Sequence, residues 1–428
     1  MKFSFSPIRL LSLLIMLCVM TGCVRLTMAW ADLTPDRPGA SPAALGPFDG
    51  KAAVKNPEEW HERSVLLRDA FQQHVYGVLP ERSGARVINR RLVTDSLLDG
   101  RAQLEELTLE VWTSFDSDTE NTATFNLLLA TPVDVDGPVP LILMETFCPN
   151  HNTILHPGVT RPQGGGGCDG EGIMADVMTY VFGRYIATPP LAEIVDRGFA
   201  LATLYPSEFV PDQADAGLAA LSRLSQGHTD DMTRWGSIAA WGWGFSRVLD
   251  VLVSEPSVDA ERVVLYGHSR YGKAALFAAA YDVRFAGVIA HQSGTGGAAL
   301  NRHKQGESVG DITRAYPHWF SRQYATYAGR EEAVPVDQHQ LLALIAPRPV
   351  LLGNARRDVW SDPEGTFVAA QGAHPVYNLL GDGGLQQTDL RSFIPDATLS
   401  FHLRPGTHGV TEEDWPAFFE FLEAHFSG

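Results

Sequence analysis

The sequence predicts an α/β fold: a doubly wound, mostly parallel sheet flanked by helices, three layers in all. Three observations carry the prediction. Short continuous apolar runs recur at 140–145, 198–205, 262–266, 286–290 and 349–353, as expected of strands buried on both faces of a parallel sheet. Helix-like stretches, notably 235–253 and 274–281, fall between them and supply covering layers. The run Arg262-Val263-Val264-Leu265-Tyr266 also leads through a glycine-bounded turn directly into the alanine-rich stretch Ala274 to Tyr281.

Taken in order, the chain opens with Met1-Lys2 and Arg9 before an apolar run from Leu10 to Met20, the shape of an export signal. A bilayer span needs about twenty apolar residues, more than this run provides. Two exits compete. Met20-Thr21-Gly22-Cys23 resembles a lipoprotein box with lipidation at Cys23, the favoured reading, and Ala29-Trp30-Ala31 is an ordinary small-x-small cleavage site. Residues 1–31 are therefore read as signal, 32–55 as an extended proline-containing tether, and 56–428 as a single α/β domain. The mature protein is expected outside the cytoplasm, as a periplasmic or outer-membrane-anchored lipoprotein or a secreted protein.

Asn56-Pro57 opens the first helix, with the asparagine as cap and the proline in the first turn, and the helix is expected to run to about His74. Alternating runs at 104–113 and 123–130 read as antiparallel strands at a sheet edge. In an exported protein Cys148 and Cys168 are candidates for a disulfide. Neither C-x-x-C nor H-x-x-x-H spacing accompanies them, so zinc is not expected. No metal or organic cofactor is implied. A formal charge of −17 over 428 residues argues against nucleic acid or an anionic membrane surface as partner, since both select a positive footprint.

The chemistry concentrates at Gly267-His268-Ser269-Arg270-Tyr271-Gly272-Lys273. A serine at the apex of a strand-turn-helix bend stands clear of the sheet, and the flanking glycines tolerate a strained backbone and a close strand–helix approach. Ser269 is the candidate nucleophile. Acyl transfer then needs a base and a carboxylate behind it, each just after a strand and in the order Ser, acid, His. His408, in the glycine-flanked loop after the strand-like 398–403, is the base; His402 is set aside as a wall residue of that strand. Asp358 follows the run 349–353 and is assigned as the acid, whereas Asp362 before Pro363 reads as a helix cap.

The segment from Gly267 to Lys273 resembles the elbow of the glucuronoyl esterases, carbohydrate esterase family fifteen, which has the form G-x-S-R-x-G-K. The resemblance extends to Trp241-Gly242-Trp243-Gly244, Ser293-Gly294-Thr295-Gly296-Gly297, His318-Trp319-Phe320, Pro335 to His339 and Ala346-Pro347-Arg348-Pro349, covering 235–410 well. It implies an α/β-hydrolase fold and cleavage of glucuronic acid esters, such as those joining glucuronoxylan to lignin. It also implies that the Arg270 guanidinium reaches the oxyanion hole, with the Arg270 backbone N–H and the loop near Phe147 as further donors, and that Lys273, Glu307 and Trp360 contact the sugar. Trp319, His339, Arg348, Trp241 and Trp243 read as packing. One departure stands out: where fungal members carry a glutamate after the strand that follows the elbow, this chain has Gln292. Other readings are an acetyl xylan or other carbohydrate esterase, a peptidase of the same fold, and a sugar-binding homologue that has lost catalysis.

Overall fold

The computed structural model describes residues 43–427, apart from 117, 163–167, 169–180, 303, 304 and 382. The signal, Cys23 and Ala31 lie outside the described residues. Strands β1 (Arg82–Ser96), β2 (Ala102–Ser114), β3 (Asn121–Pro132), β4 (Val139–Glu145), β5 (Ala200–Leu204), β6 (Val258–His268), β7 (Gly287–His291), β8 (Val350–Ala355) and β9 (Leu399–Arg404) form one sheet. Its order is β1-β2-β3-β5-β4-β6-β7-β8-β9. The first three strands and β5 pair antiparallel, and β5 through β9 are parallel. The chain passes from β4 to β5 on one side and then to β6 on the other. That reversal opens a crevice at the carboxyl ends of β4 and β6, where ligands of such sheets gather.

Strand alternation divides the parallel core in two. Leu141, Leu143, Val263, Leu265, Val288 and Ala290 face one hydrophobic cluster. Ile142, Met144, Val264, Tyr266 and Ile289 face the other. Helices α1 (Pro57–Phe71), α2 (Ser237–Leu252), α3 (Arg270–Tyr281) and α4 (Pro363–Leu380) cover the first face, and α5 (Asp414–Phe426) covers the second with Trp415, Phe418 and Phe421. Asn56 caps α1 through its side chain, which accepts from the Glu59 N–H at 2.9 Å, and Pro57 takes the first turn. Trp241 and Trp243 of α2 are buried in the first cluster.

Three expectations shift. Helix α1 ends at Phe71, and Gln72–Tyr76 continue as a π turn. The expected tether is folded onto the domain from Ala43 onward: Ala44 and Val54 are buried, and Arg63 donates to the Gly46 and Ala52 carbonyls at 2.7 and 2.8 Å. These backbone bonds and the two apolar side chains outweigh the proline-rich composition of 32–55. Strand β1 escapes sequence reading because it is an edge strand that carries exposed Arg86 and Arg90 and half-buried Arg91, whose partners are cross-strand carboxylates on β2, Glu110, Glu105 and Glu106.

Candidate active site

Ser269 sits where β6 turns into α3. Its φ of 55° and ψ of −120° place it in a region that costs a non-glycine residue on the order of 1–3 kcal/mol. The strain is thus carried by the serine itself. The two flanking glycines do a different job. A Cβ on Gly267 would lie 2.1 Å from the Tyr271 carbonyl oxygen, and one on Gly272 would press on Gly267 and on Ser293. They let strand and helix close up while the serine takes the contorted backbone. Ser269 makes no side-chain cap to the helix it precedes, and its N–H donates to the His291 carbonyl at 2.8 Å.

His408, the candidate base, lies in the loop after β9. His408 Nδ1 lies 2.7 Å from Asp358 Oδ2. Ser361 adds contacts on both partners: its N–H donates to Asp358 Oδ1 at 3.3 Å and its hydroxyl lies 3.3 Å from His408 Nδ1. Burial would push the Asp358 carboxyl up, but the His408 charge, its hydrogen bond and Ser361 bring it below the ordinary carboxylate range. Asp358 is therefore an ionised, buried acceptor that obliges Nδ1 to carry the proton and leaves Nε2 as the basic nitrogen. The Ser269 Oγ to Nε2 hydrogen bond is not formed here; unliganded sites of this kind commonly tighten it only with substrate.

Gln292 explains how the loop is held. Its Oε1 accepts from the Gly409 N–H at 2.8 Å and its Nε2 donates to the Thr407 carbonyl at 3.3 Å, one bond on each side of His408. Arg404 grips the same loop from the strand side, donating to the carbonyls of Pro405, Thr407 and Gly409 at 2.8, 3.2 and 2.8 Å. The position at which the family resemblance led to the expectation of a glutamate thus holds the backbone on both sides of His408. Its φ of 50° adds a second strained residue beside the elbow.

On the opposite side, the Arg270 guanidinium forms an ion pair with Asp212. It lies between two aromatic faces, 5.0 Å from the Phe147 ring centre and 5.4 Å from that of Trp319. Asp212 Oδ1 also receives the Trp319 indole N–H at 2.7 Å and lies 3.0 Å from His318 Nε2. Burial and the neighbouring Arg270 push His318 down to about 4, so it is neutral at pH 7. Trp319 packs as expected, yet its ring is also one wall of the arginine's slot. Asp212 was missed because it lies in a turn remote in sequence from the elbow, with no motif around it.

Of the expected sugar contacts, Trp360 is the exposed one, at 54%. Its indole N–H donates to Glu307 Oε1 at 3.1 Å, so the two come together with Glu307 buried behind the ring. Lys273 is buried, and its ammonium donates to the Ser293 and Thr295 carbonyls at 2.6 and 2.7 Å. Its first task is to hold that turn. Cys148 and Cys168 are joined by a disulfide with Cα atoms 5.7 Å apart, directly after the Phe147 that stacks on Arg270. His402 meets Phe393 edge to face with ring centres 5.0 Å apart, and Asp362 caps α4 by accepting the Gly365 N–H at 3.0 Å.

A carbohydrate esterase from an unknown prokaryotic organism is 33% identical over 394 residues, covering 90% of each chain. That extent decides the relationship. The chain belongs to carbohydrate esterase family 15, the glucuronoyl esterases. A family model described as glucuronyl esterase, fungi, matches residues 228–381, the stretch that holds the elbow and Asp358. Among solved structures, the glucuronoyl esterase from Solibacter usitatus is 31% identical with a TM-score of 0.76, over 91% of this chain and 99% of that one. A structure described as a promiscuous family 15 esterase from a marine bacterial metagenome is 30% identical with a TM-score of 0.74, over 92% and 98%. As a family 15 member the chain is a carboxylic ester hydrolase of the α/β-hydrolase fold.

Proposed function

We propose that this glucuronoyl esterase homologue hydrolyses esters of glucuronic or 4-O-methylglucuronic acid, as in the bonds joining glucuronoxylan to lignin alcohols. The observation that carries the reading is the 2.7 Å bond between His408 and the ionised Asp358, on a loop tied by Gln292 to the strand end that also receives the Ser269 N–H. In this reading His408 Nε2 takes the Ser269 proton as Oγ attacks the ester carbonyl carbon. The oxyanion is met by the Arg270 N–H and guanidinium. Collapse releases the alcohol with the proton from His408; water then attacks the acyl carbon as His408 takes its proton, and the bond to Ser269 Oγ breaks, releasing the acid as the serine recovers its proton from His408. The exposed Trp360 face, backed by Glu307 and Lys273, would receive the uronate ring.

An uncharged ester also suits a protein of formal charge −17, because esterification removes the carboxylate that an acidic field would repel. The disulfide fits an oxidising location, consistent with export and with lipidation at Cys23 or cleavage after Ala31. A second reading, broader esterase activity that includes acetylated xylan, is favoured by one fact: a relative of 30% identity is described as promiscuous. The test compares rates on benzyl glucuronate and acetylated xylan for wild type and Ser269→Ala, with fluorophosphonate labelling of both. We expect the glucuronate ester to be preferred, with turnover and labelling lost in Ser269→Ala. Preference for acetylated xylan would overturn the substrate assignment, and labelling retained in Ser269→Ala would overturn the nucleophile.

A further inference from the structure

One charge beside the elbow is braced from several elements at once. Asp212 ends the turn that follows β5. Within that turn, Glu208 Oε2 accepts the Asn126 N–H of β3 at 2.7 Å, and the Val210 carbonyl accepts the indole N–H of Trp241, from α2, at 3.0 Å. The Asp212 N–H donates to Ser207 Oγ at 3.3 Å, which closes the turn on itself. The side chain is held as well: Oδ1 receives the Trp319 indole N–H at 2.7 Å and lies 3.0 Å from His318 Nε2. His318 and Trp319 are themselves docked, because the first N–H groups of α2, on Ser237 and Ile238, donate to their carbonyls at 2.8 and 3.1 Å. Glycines permit the close approach. A Cβ on Gly236 would lie 2.3 Å from the Trp319 carbonyl oxygen, and one on Gly217 would lie 2.8 Å from the His318 ring. Tyr316 stacks on Trp319 with ring centres 3.7 Å apart.

These contacts leave Oδ2, the atom that the Arg270 guanidinium engages. The rings of Phe147 and Trp319 confine that guanidinium but do not aim it, since the attraction of a cation to a ring face depends on its height above the ring and leaves it free to turn in its own plane. A carboxylate does aim it, through directed charge-assisted hydrogen bonds. Aim matters here because a donor stabilises a developing oxyanion only if it is already in place when the charge forms. Two effects of Asp212 on catalysis oppose one another. As a counter-charge it weakens the pull of Arg270 on an oxyanion; as an anchor it puts that pull where it is needed. Arg270 is 28% exposed, so water screens the first effect, whereas the bracing of Asp212 serves the second.

We propose that Asp212 is a positioning residue of the esterase reaction, holding the Arg270 guanidinium in one orientation beside Ser269, and that Trp319 acts through Asp212 as well as by walling the slot. The inference deepens the proposed esterase reading and, for its catalytic part, rests on it. Position and charge predict opposite signs for the removal of the carboxylate. Asp212→Asn keeps an oxygen that can accept from Trp319 but loses the charge that holds Arg270. If position governs, kcat falls; if the counter-charge governs, the freed cation meets the oxyanion more strongly and kcat rises.

The test joins a double-mutant cycle to a measurement of side-chain order. On benzyl glucuronate, Asp212→Asn is expected to lower kcat between about 10- and 100-fold at unchanged KM, the scale of a misplaced rather than a missing donor. In an Arg270→Gln background the same substitution should change kcat by no more than about twofold, because its target is gone. A merely structural role would cost the same in both backgrounds, and that result, or a rise in kcat in Asp212→Asn, would overturn the proposal. Nitrogen relaxation of protein labelled with ¹⁵N-arginine reads the orientation without turnover, the Arg270 Nε signal being assigned by its loss in Arg270→Gln. Its order parameter should be near the rigid value of about 0.85 in wild type and below about 0.6 in Asp212→Asn. An equally rigid Arg270 in both proteins would overturn the proposal. Should circular dichroism show Asp212→Asn unfolded, Trp319→Phe makes the same test, since it keeps a ring beside Arg270 and removes one donor from Asp212. There kcat and the order parameter should both fall, by a smaller margin, and wild-type values of both would overturn the proposal. Turnover unaltered in Ser269→Ala would instead sink the esterase reading and leave the relaxation result standing, so the two failures are told apart.

Discussion

The two sides of the elbow are built on different principles. On the base side, from β7 to β9, polar groups are buried and interlocked: Asp358 on His408, Gln292 and Arg404 on the loop around it. On the side proposed to hold the oxyanion, from β4 to Arg270, the charge sits partly in solvent, 28% exposed, between two aromatic rings and paired with the carboxylate of Asp212. The first arrangement fixes a proton's position. The second fixes a charge between two rings. The contrast extends to the carboxyls themselves, for Asp358 is held ionised by its partner while Glu145, at the end of β4, is buried with neither oxygen hydrogen-bonded.

Removing the base-side carboxylate breaks the comparison most severely. Asp358→Asn keeps volume but offers the wrong tautomer to His408, and kcat is expected to fall by roughly 10⁴ with the fold intact. Adding Gln292→Glu to that variant should restore nothing. Gln292 addresses the loop backbone through a donor as well as an acceptor, and a carboxylate would meet the Thr407 carbonyl with repulsion. Stopped assays on purified single and double variants, with circular dichroism as the folding control, check both expectations. Recovery of turnover in the double variant would show that position 292 reaches the imidazole and that the two sites are interchangeable.

The oxyanion side should respond less steeply. Arg270→Lys retains the charge but loses the fork that engages Asp212 and the flat face that fits between Phe147 and Trp319. A loss of roughly 10²–10³ in kcat is expected, the scale of one oxyanion donor, with little change in KM. Steady-state kinetics on benzyl glucuronate measures it. Wild-type kcat would reduce Arg270 to a staple of the elbow.

The two sides were unequally legible in the sequence. Ser269, His408 and Asp358 could be named as candidates because each follows an apolar run in a fold whose ligands gather at strand ends, and the structure brings the last two within hydrogen-bond distance. The parallel strands were legible for the same reason, being continuous apolar segments. Asp212, Ser361 and the clamp role of Gln292 were not, because each acts on backbone or charge distant in sequence, and a lone polar residue in a turn carries no periodic signal. Strand β1 was hidden by its arginines, which satisfy β2 carboxylates and leave no apolar alternation. The site of strain was misplaced to the glycines, since composition shows which residues tolerate a positive φ but not which one is forced into it.

Glu145 offers the smallest and most selective test. Burial raises its carboxyl well above the ordinary range, so in the folded protein it stays protonated where the unfolded chain has already released the proton. The sign follows: its favourable contribution is complete below the unfolded value of about 4.3 and is eroded as pH rises toward the folded value, at about 1.4 kcal/mol per pH unit. Glu145→Gln has no proton to lose. Whatever offset the amide introduces at pH 5, the difference in stability between variant and wild type should grow in the variant's favour as pH rises from there toward the folded value. Urea melts across that range read the slope directly. A gap that stays constant with pH would mean that Glu145 is ionised in the folded protein and has found a cation, making the oxyanion side as fully paired as the base side.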